Sequence, residues 1–354
     1  MRPERQAMYW LLLLIAASLA VILLSDAILP FVLGLLLAYA LNPLVRFVMR
    51  TGLPRTVASS VVLVFGMAAI GSTLTLLAPV IIDQVQKFAI SLPELSAKLK
   101  LVAEDIARER LGSRYPEFQG QIEMALSSAF GNSSSFATTA VNQVLAQMKS
   151  LWTIISVVLV TPLVAFYVLC DWEPMRTKID GWLPRRYAPT VRQLGTDMDG
   201  AISAFVRGQG MVCLILALYY AVAMQIIGLN YGLSLGIATG VLSFVPFVGW
   251  ALGLIVSMAV ATAQYWPAFQ PIALVALVFV VGYVLDAFVL SPKLVGERLG
   301  LPPVWLLLAL AVFSSLLGFV GILIAVPVAA AIAVVVRHLL QVYLASDLYD
   351  GDPE

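Results

Sequence analysis

Ser243-Phe244-Val245-Pro246-Phe247-Val248-Gly249 and Ser315-Leu316-Leu317-Gly318-Phe319-Val320-Gly321 decide how this chain folds. Each heptapeptide lies near the middle of an uncharged run, Tyr231–Ala263 of 33 residues and Pro303–Val336 of 34. As unbroken helix either run would reach about 50 Å, against a hydrocarbon core of about 30 Å. Backbone freed by proline and glycine at the midpoints needs protein or water as a partner, because lipid offers none. Length and breaks together predict two re-entrant helical hairpins, facing each other across Asp286. The alternative is a pair of long tilted spans. Six spans with two hairpins put Ser291–Pro302 inside, whereas eight spans put it outside. Lys293 and Arg298 favour the inside placement.

Composition agrees with this reading. Of 354 residues, 61% are hydrophobic and only 12% charged, which makes the chain an all-α polytopic membrane protein with eight apolar segments. Twenty-one basic against 20 acidic residues exclude the basic excess of a nucleic-acid binder. Cys170 and Cys213 have no metal-site spacing, and the single His338 rules out a two-histidine helical zinc site. No glycine-lysine phosphate loop marks an ATPase, and no nucleophile–base or metal constellation marks an enzyme or a cofactor.

Around that centre the chain reads as follows. Residues 1–82 hold three spans, Met8–Leu24, Ala27–Val45 and Val57–Ile82, with Arg46, Arg50 and Arg55 in a basic loop. Residues 83–150 form an extracytoplasmic helical segment. Its seam Leu92, Leu95, Leu99, Val102 and Ile106 predicts a helix that either folds on a second helix near Gln121–Ala129 or contacts another subunit. Gly131–Thr139 reads as loop. Residues 151–207 hold the fourth span, Leu151–Cys170, and a polar interfacial loop with six basic residues. Residues 208–337 form the transport core, and 338–354 an acidic tail. The arginine-bearing loops fall on one side, so both termini lie in the cytoplasm, at the inner membrane, by the positive-inside rule.

Asp286 sits about 8 Å from the centre of Pro271–Leu290; a carboxylate at the bilayer centre costs about 2.5–3.5 kcal/mol, and less toward the interface. It is the candidate for ion or proton coupling; the plainer reading pairs it with Lys293 or with backbone N–H groups. The two Phe-Val-Gly triplets, 72 residues apart, suggest a degenerate inverted repeat with substrate between broken helices. Candidate pathway or hinge residues are Asn230, Ser243, Pro246, Phe247, Gly249, Pro292, Lys293, Gly296, Ser314, Ser315, Gly318, Gly321 and Pro327. The serines can equally bond their own backbone, and Gly236, Gly240 and Gly253 can serve close packing.

These residues are familiar as a set. Pro246-Phe-Val-Gly249, then Leu285-Asp286 through Ser291-Pro292-Lys293-Leu294-Val295-Gly296, then Gly318-Phe-Val-Gly321 through Ala325-Val326-Pro327 resemble the three signatures of the autoinducer-2 exporter family. The chain departs from the pattern at Pro302-Pro303, where a histidine-proline pair is expected, and at Ser314-Ser315, where a glycine pair is usual. Both departures lie beside the expected pathway and bear on substrate more than fold. The resemblance implies a secondary transporter and a homo-oligomer such as a pentamer. It also implies export of the furanosyl signal autoinducer-2 or sodium/proton antiport. Three readings follow: a gradient-driven exporter of a small polar solute, a sodium/proton antiporter, and a non-transporting scaffold recruiting partners through 83–150.

Overall fold

The computed structural model describes residues 25–112, 156–295 and 302–346, with isolated positions at 115–116, 120–121, 124 and 349. The first expected span, the 131–150 segment and Gly296 lie outside the described residues, as does most of the second helical stretch near 121–129. Among the described residues every regular element is helical. In order these are α1 (Ser25–Met49), α2 (Arg55–Leu111), a π-helical turn (Ser156–Val160) leading into α3 (Thr161–Trp182), and α4 (Ala188–Ile227). Then come α5 (Gly232–Leu242), α6 (Val248–Tyr265), α7 (Phe269–Leu285), a π-helical stretch (Asp286–Val295) and α8 (Pro303–Leu344). Seven of these segments are long and apolar enough to cross a membrane; α5 is not.

Two expected boundaries are corrected. The helix that carries the third span continues past Ile82: α2 runs for 57 residues, about 86 Å at the standard rise, and its span-length apolar part is Arg55–Leu77. Pro79 and Pro93 lie inside it without ending it. Beyond the apolar part the helix turns water-facing, with the pairs Lys87–Asp83 at 2.8 Å and Lys98–Glu94 at 2.9 Å. The Asp83 carboxylate one turn earlier holds the Lys87 ammonium above its usual range. Within the predicted seam Val102 is buried, but Ile106 is exposed. The second correction concerns the interfacial loop. Residues 171–207 are helical ends, and only Leu183–Tyr187 turn between α3 and α4. Arg192 and Asp180 pair across that turn (Nη2–Oδ2 2.8 Å).

The chain divides into two compact units. One comprises residues up to Ala68, Ile155–Gln209 and Pro292 onward; the other comprises Ala69–Ile154 and Gly210–Ser291. In the first, α1 packs on α3 through Ala38, Val45, Ala165 and Leu169, with Ala58 and Val62 of α2 joining them. Small residues let the helices close up: a Cβ on Gly34 would meet Val164 and the Thr161 carbonyl. Arg55 is consumed here, its Nε donating to the Leu169 carbonyl at 2.6 Å.

In the second unit, α4 shows how a helix apolar on every side is used. Val212, Leu216, Tyr220 and Met224, four residues apart, are all but fully buried, while Leu214, Leu218, Val222 and Ile226 are exposed. Protein takes one face, and the other stays apolar and exposed. On the buried face, Gly232, Gly236 and Gly240 of α5 meet Met224, Ala221 and Ala217 of α4 at backbone contact. Gly253 of α6 lies against the Thr239 side chain of α5. These glycines serve close packing. The first broken run and Asp286 belong to this unit, and the second broken run to the other.

Candidate functional site

The first broken run is a hairpin whose two ends meet. After α4, Gly228 and Tyr231 take left-handed φ of 77° and 60° and turn the chain into α5. At the far end of α6, the Tyr265 hydroxyl donates to the Ile227 carbonyl at 3.0 Å. The Gln264 amide donates to the Gly228 carbonyl at 2.9 Å and accepts from the Asn230 N–H at 2.8 Å. The chain therefore leaves where it came in. Eleven residues of α5 rise only about 16 Å, half a hydrocarbon core. At the tip, Phe247 takes φ 68°, and Gly249 lies against the backbone of Leu242 and Ser243.

The second broken run reverses in the same manner inside α8. Gly318 has φ 57° and ψ −132°, the first central position of a type II′ turn, where glycine is favoured. Three residues on, Gly321 touches the Phe313 carbonyl. In a straight helix residues eight apart are separated by about 12 Å, so this contact requires the chain to fold back. The last glycine of each Phe-Val-Gly triplet thus lies at the neck of a reversal.

A third polar feature lies between them in sequence. Asp286 begins the π-helical stretch, about 6 Å along the axis from the middle of Phe269–Val295. The Ser291 hydroxyl donates to its Oδ1 at 2.8 Å. Residues five apart point about 140° away from each other on an α-helix. They align only where the helix is widened to i→i+5 pairing, so the π-stretch creates the pair. Pro292, with no N–H, leaves a backbone carbonyl one turn earlier without its helical donor. Cys213 and Tyr220 of α4 lie within electrostatic reach of the carboxylate. Two carbonyls of α7 also take side-chain donors, Val278 from Tyr219 at 3.0 Å and Phe279 from Trp250 at 3.1 Å.

The other candidates sort plainly. Ser243, Ser314 and Ser315 donate to Thr239, Ala311 and Val312, carbonyls of their own helices, at 2.8, 3.0 and 2.8 Å. Pro246 sits in the tip of the first hairpin, and Pro327 lines an apolar crevice of about 410 Å³ with Tyr39 and Ile324. Lys293 shares a cleft with Arg46 of the last turn of α1 and Arg207 of α4. The two reversals fit the hairpin reading rather than a pair of long tilted spans.

Sequence reading missed five residues. Ser291 is Asp286's partner. Gln264 closes the first hairpin. Gln84 of α2 caps α5 by accepting from the Ser234 N–H at 3.0 Å. Ser91 accepts from the Tyr231 hydroxyl at 3.1 Å, and Phe88 packs edge-on against the Tyr231 ring. Isolated glutamines at the ends of apolar runs were the available signal for Gln84 and Gln264. Segment 84–91 is thus a clamp on the hairpin's mouth, built into the same unit.

The profile of the AI-2E family transporter matches residues 11–341. "Putative transport protein YrrI" of Bacillus subtilis is 26% identical over 314 residues, covering 88% of this chain and 86% of that protein. "Putative permease PerM" of Escherichia coli K12 is 26% identical over 343 residues, covering 94% and 93%. "Putative transport protein sll0063" of Synechocystis is 27% identical over 301 residues, covering 84% and 73%.

Proposed function

This chain belongs to the AI-2E transporter family, and we propose that it is a secondary transporter of the cytoplasmic membrane, with both termini inside. Its cargo is a small polar solute of the autoinducer-2 kind, moved by an ion or proton gradient, in a homo-oligomer such as a pentamer. The observation that carries this reading is the closed mouth of the first hairpin, where Tyr265 and Gln264 return the chain to the end of α4. With the second reversal at Gly318, it gives two re-entrant hairpins separated along the chain by one crossing segment, Phe269–Val295. That is the layout of an inverted repeat, in which broken helix ends present backbone N–H and C=O groups to a solute. Asp286 is the coupling residue of this scheme. A carboxylate in an apolar segment is retained at a cost, and its serine partner and the widened turn supply further oxygens.

Purified protein in proteoliposomes tests the scheme by gradient-driven uptake or efflux of autoinducer-2. Asp286→Asn keeps the shape and the Ser291 hydrogen bond but removes the titrating group, so coupled flux should fall to background. Unchanged coupled flux would sink the role of Asp286. The Asp286–Ser291 oxygen pair also favours a second reading, sodium/proton exchange without an organic solute. In that case adding sodium alone to vesicles changes the internal pH.

A further inference from the structure

We propose that the cleft formed by Arg46, Arg207 and Lys293 binds a phosphate-bearing anion, supplied either by an acidic phospholipid headgroup or by free phosphate. The three cations come from the last turn of α1, from α4 and from the π-helical stretch, parts of the sequence far from one another. They converge on a cleft of about 550 Å³, within the usual range for a small-ligand site. Asp199 is the one carboxylate among the lining residues, leaving two net positive charges from three cations and one anion. Asp199 is itself engaged by the Tyr39 hydroxyl. Ser203 adds a hydroxyl group from α4, whereas the Thr196 hydroxyl, on the same face at a spacing of seven, donates to the Arg192 carbonyl at 2.9 Å and accepts from Arg176 at 3.1 Å.

The cleft is held in shape by packing. A Cβ on Gly208 would meet the Leu294 carbonyl carbon at 2.7 Å and the Val295 Cα at 2.8 Å. This glycine therefore lets the Lys293 segment close on α4 beside Arg207. Val45, next to Arg46, is fully buried, which fixes the end of α1. Two guanidinium groups and an ammonium around one pocket suit a phosphate, because guanidinium groups bind its oxygens in pairs. Basic pockets between membrane helices take acidic headgroups by the same chemistry. No hairpin-tip residue is among those lining the cleft, and the site does not depend on what is transported.

The test is thermal unfolding of the full chain in neutral detergent, titrated with phosphatidylglycerol, phosphatidylcholine or inorganic phosphate, with native mass spectrometry counting bound lipid. Phosphatidylglycerol or phosphate should raise Tm, since a ligand that binds only the folded state stabilises it. Each cation removed, Arg207→Gln or Lys293→Gln, should weaken apparent affinity about five-fold. Asp199→Asn should tighten binding, and Lys293→Arg should preserve it. A response to phosphatidylglycerol but not phosphate identifies a lipid site, and the reverse identifies a soluble anion. Equal stabilisation by phosphatidylcholine, or adduct counts and shifts unchanged in the double glutamine variant, would overturn the proposal.

Discussion

The two hairpins carry the same Phe-Val-Gly triplet and are built by different means. In the first, tightness comes from packing. Gly232, Gly236 and Gly240 lay α5 on the backbone of α4, Gly253 accepts Thr239, and Gln264 and Tyr265 tie the mouth. Its positive-φ tip residue is Phe247, which is not a glycine. In the second, the reversal rests on Gly318, whose φ and ψ favour glycine and around whose Cβ position nothing lies within 4 Å. One hairpin is a packed wedge and the other reverses on a single backbone conformation. A repeat of sequence is therefore not a repeat of mechanics: the first hairpin should respond to changes of volume, and the second to changes of backbone freedom.

The largest effect should come from volume in the wedge. In Gly240→Val the new side chain would fall on the Ala217 backbone, which cannot rotate away. Overpacking at such a site costs about 3 kcal/mol or more, so little monodisperse protein should survive in detergent. A variant as stable as the parent would mean that α5 is not seated on α4.

Next is the hinge. Gly318→Ala has room for its methyl group and pays only for conformation, about 1–3 kcal/mol. Protein should be obtained in good yield with a lowered Tm, and flux should fall by more than the loss of folded protein accounts for. Flux that merely follows the folded fraction would make Gly318 a structural turn rather than a hinge.

How far this was legible in the sequence depends on the interaction. Helix breaks are written in residue type: Pro246, Gly249, Gly318 and Gly321 marked both reversals, because lipid leaves freed backbone few other options. Hydropathy marked the spans for the same reason. Helix continuity was less legible. The change to a charged, periodic pattern after Ile82 set residues 83–150 apart from the third span, yet one helix runs through to Leu111. The Asp286–Ser291 pair was hidden because an α-helical periodicity sends position i+5 to another face. An isolated glutamine marked Gln84, but its partner Ser234 lies 150 residues away and the Ser91–Tyr231 pair spans 140, so no local pattern announced what the clamp between α2 and α5 holds.

That clamp gives a smaller and more local effect. Gln84→Ala removes the side-chain acceptor at the N-terminus of α5, worth about 1 kcal/mol by analogy with helix caps. Amide exchange at Ser234 and its neighbours should speed up, while exchange around Gly318 stays as it was. Faster exchange in both hairpins would break the comparison, because the two reversals would then open as one unit.

The smallest effect should be Phe247→Gly, and its smallness is what makes it decisive. A non-glycine residue at positive φ costs about 1 kcal/mol or somewhat more. Glycine at this tip would relieve that, while giving back about 0.5–1 kcal/mol through the freer unfolded chain. The Phe247 side chain is 48% exposed, so removing it costs only part of its burial. The terms nearly cancel, and Tm should stay close to that of the parent. This is the opposite of Gly318→Ala, although both substitutions exchange glycine and a side chain at a reversal. If Phe247→Gly lowers Tm as far as Gly318→Ala does, the aromatic ring is holding the tip. The first hairpin would then depend on its turn as much as the second, and packing along α5 could no longer be what sets the two apart.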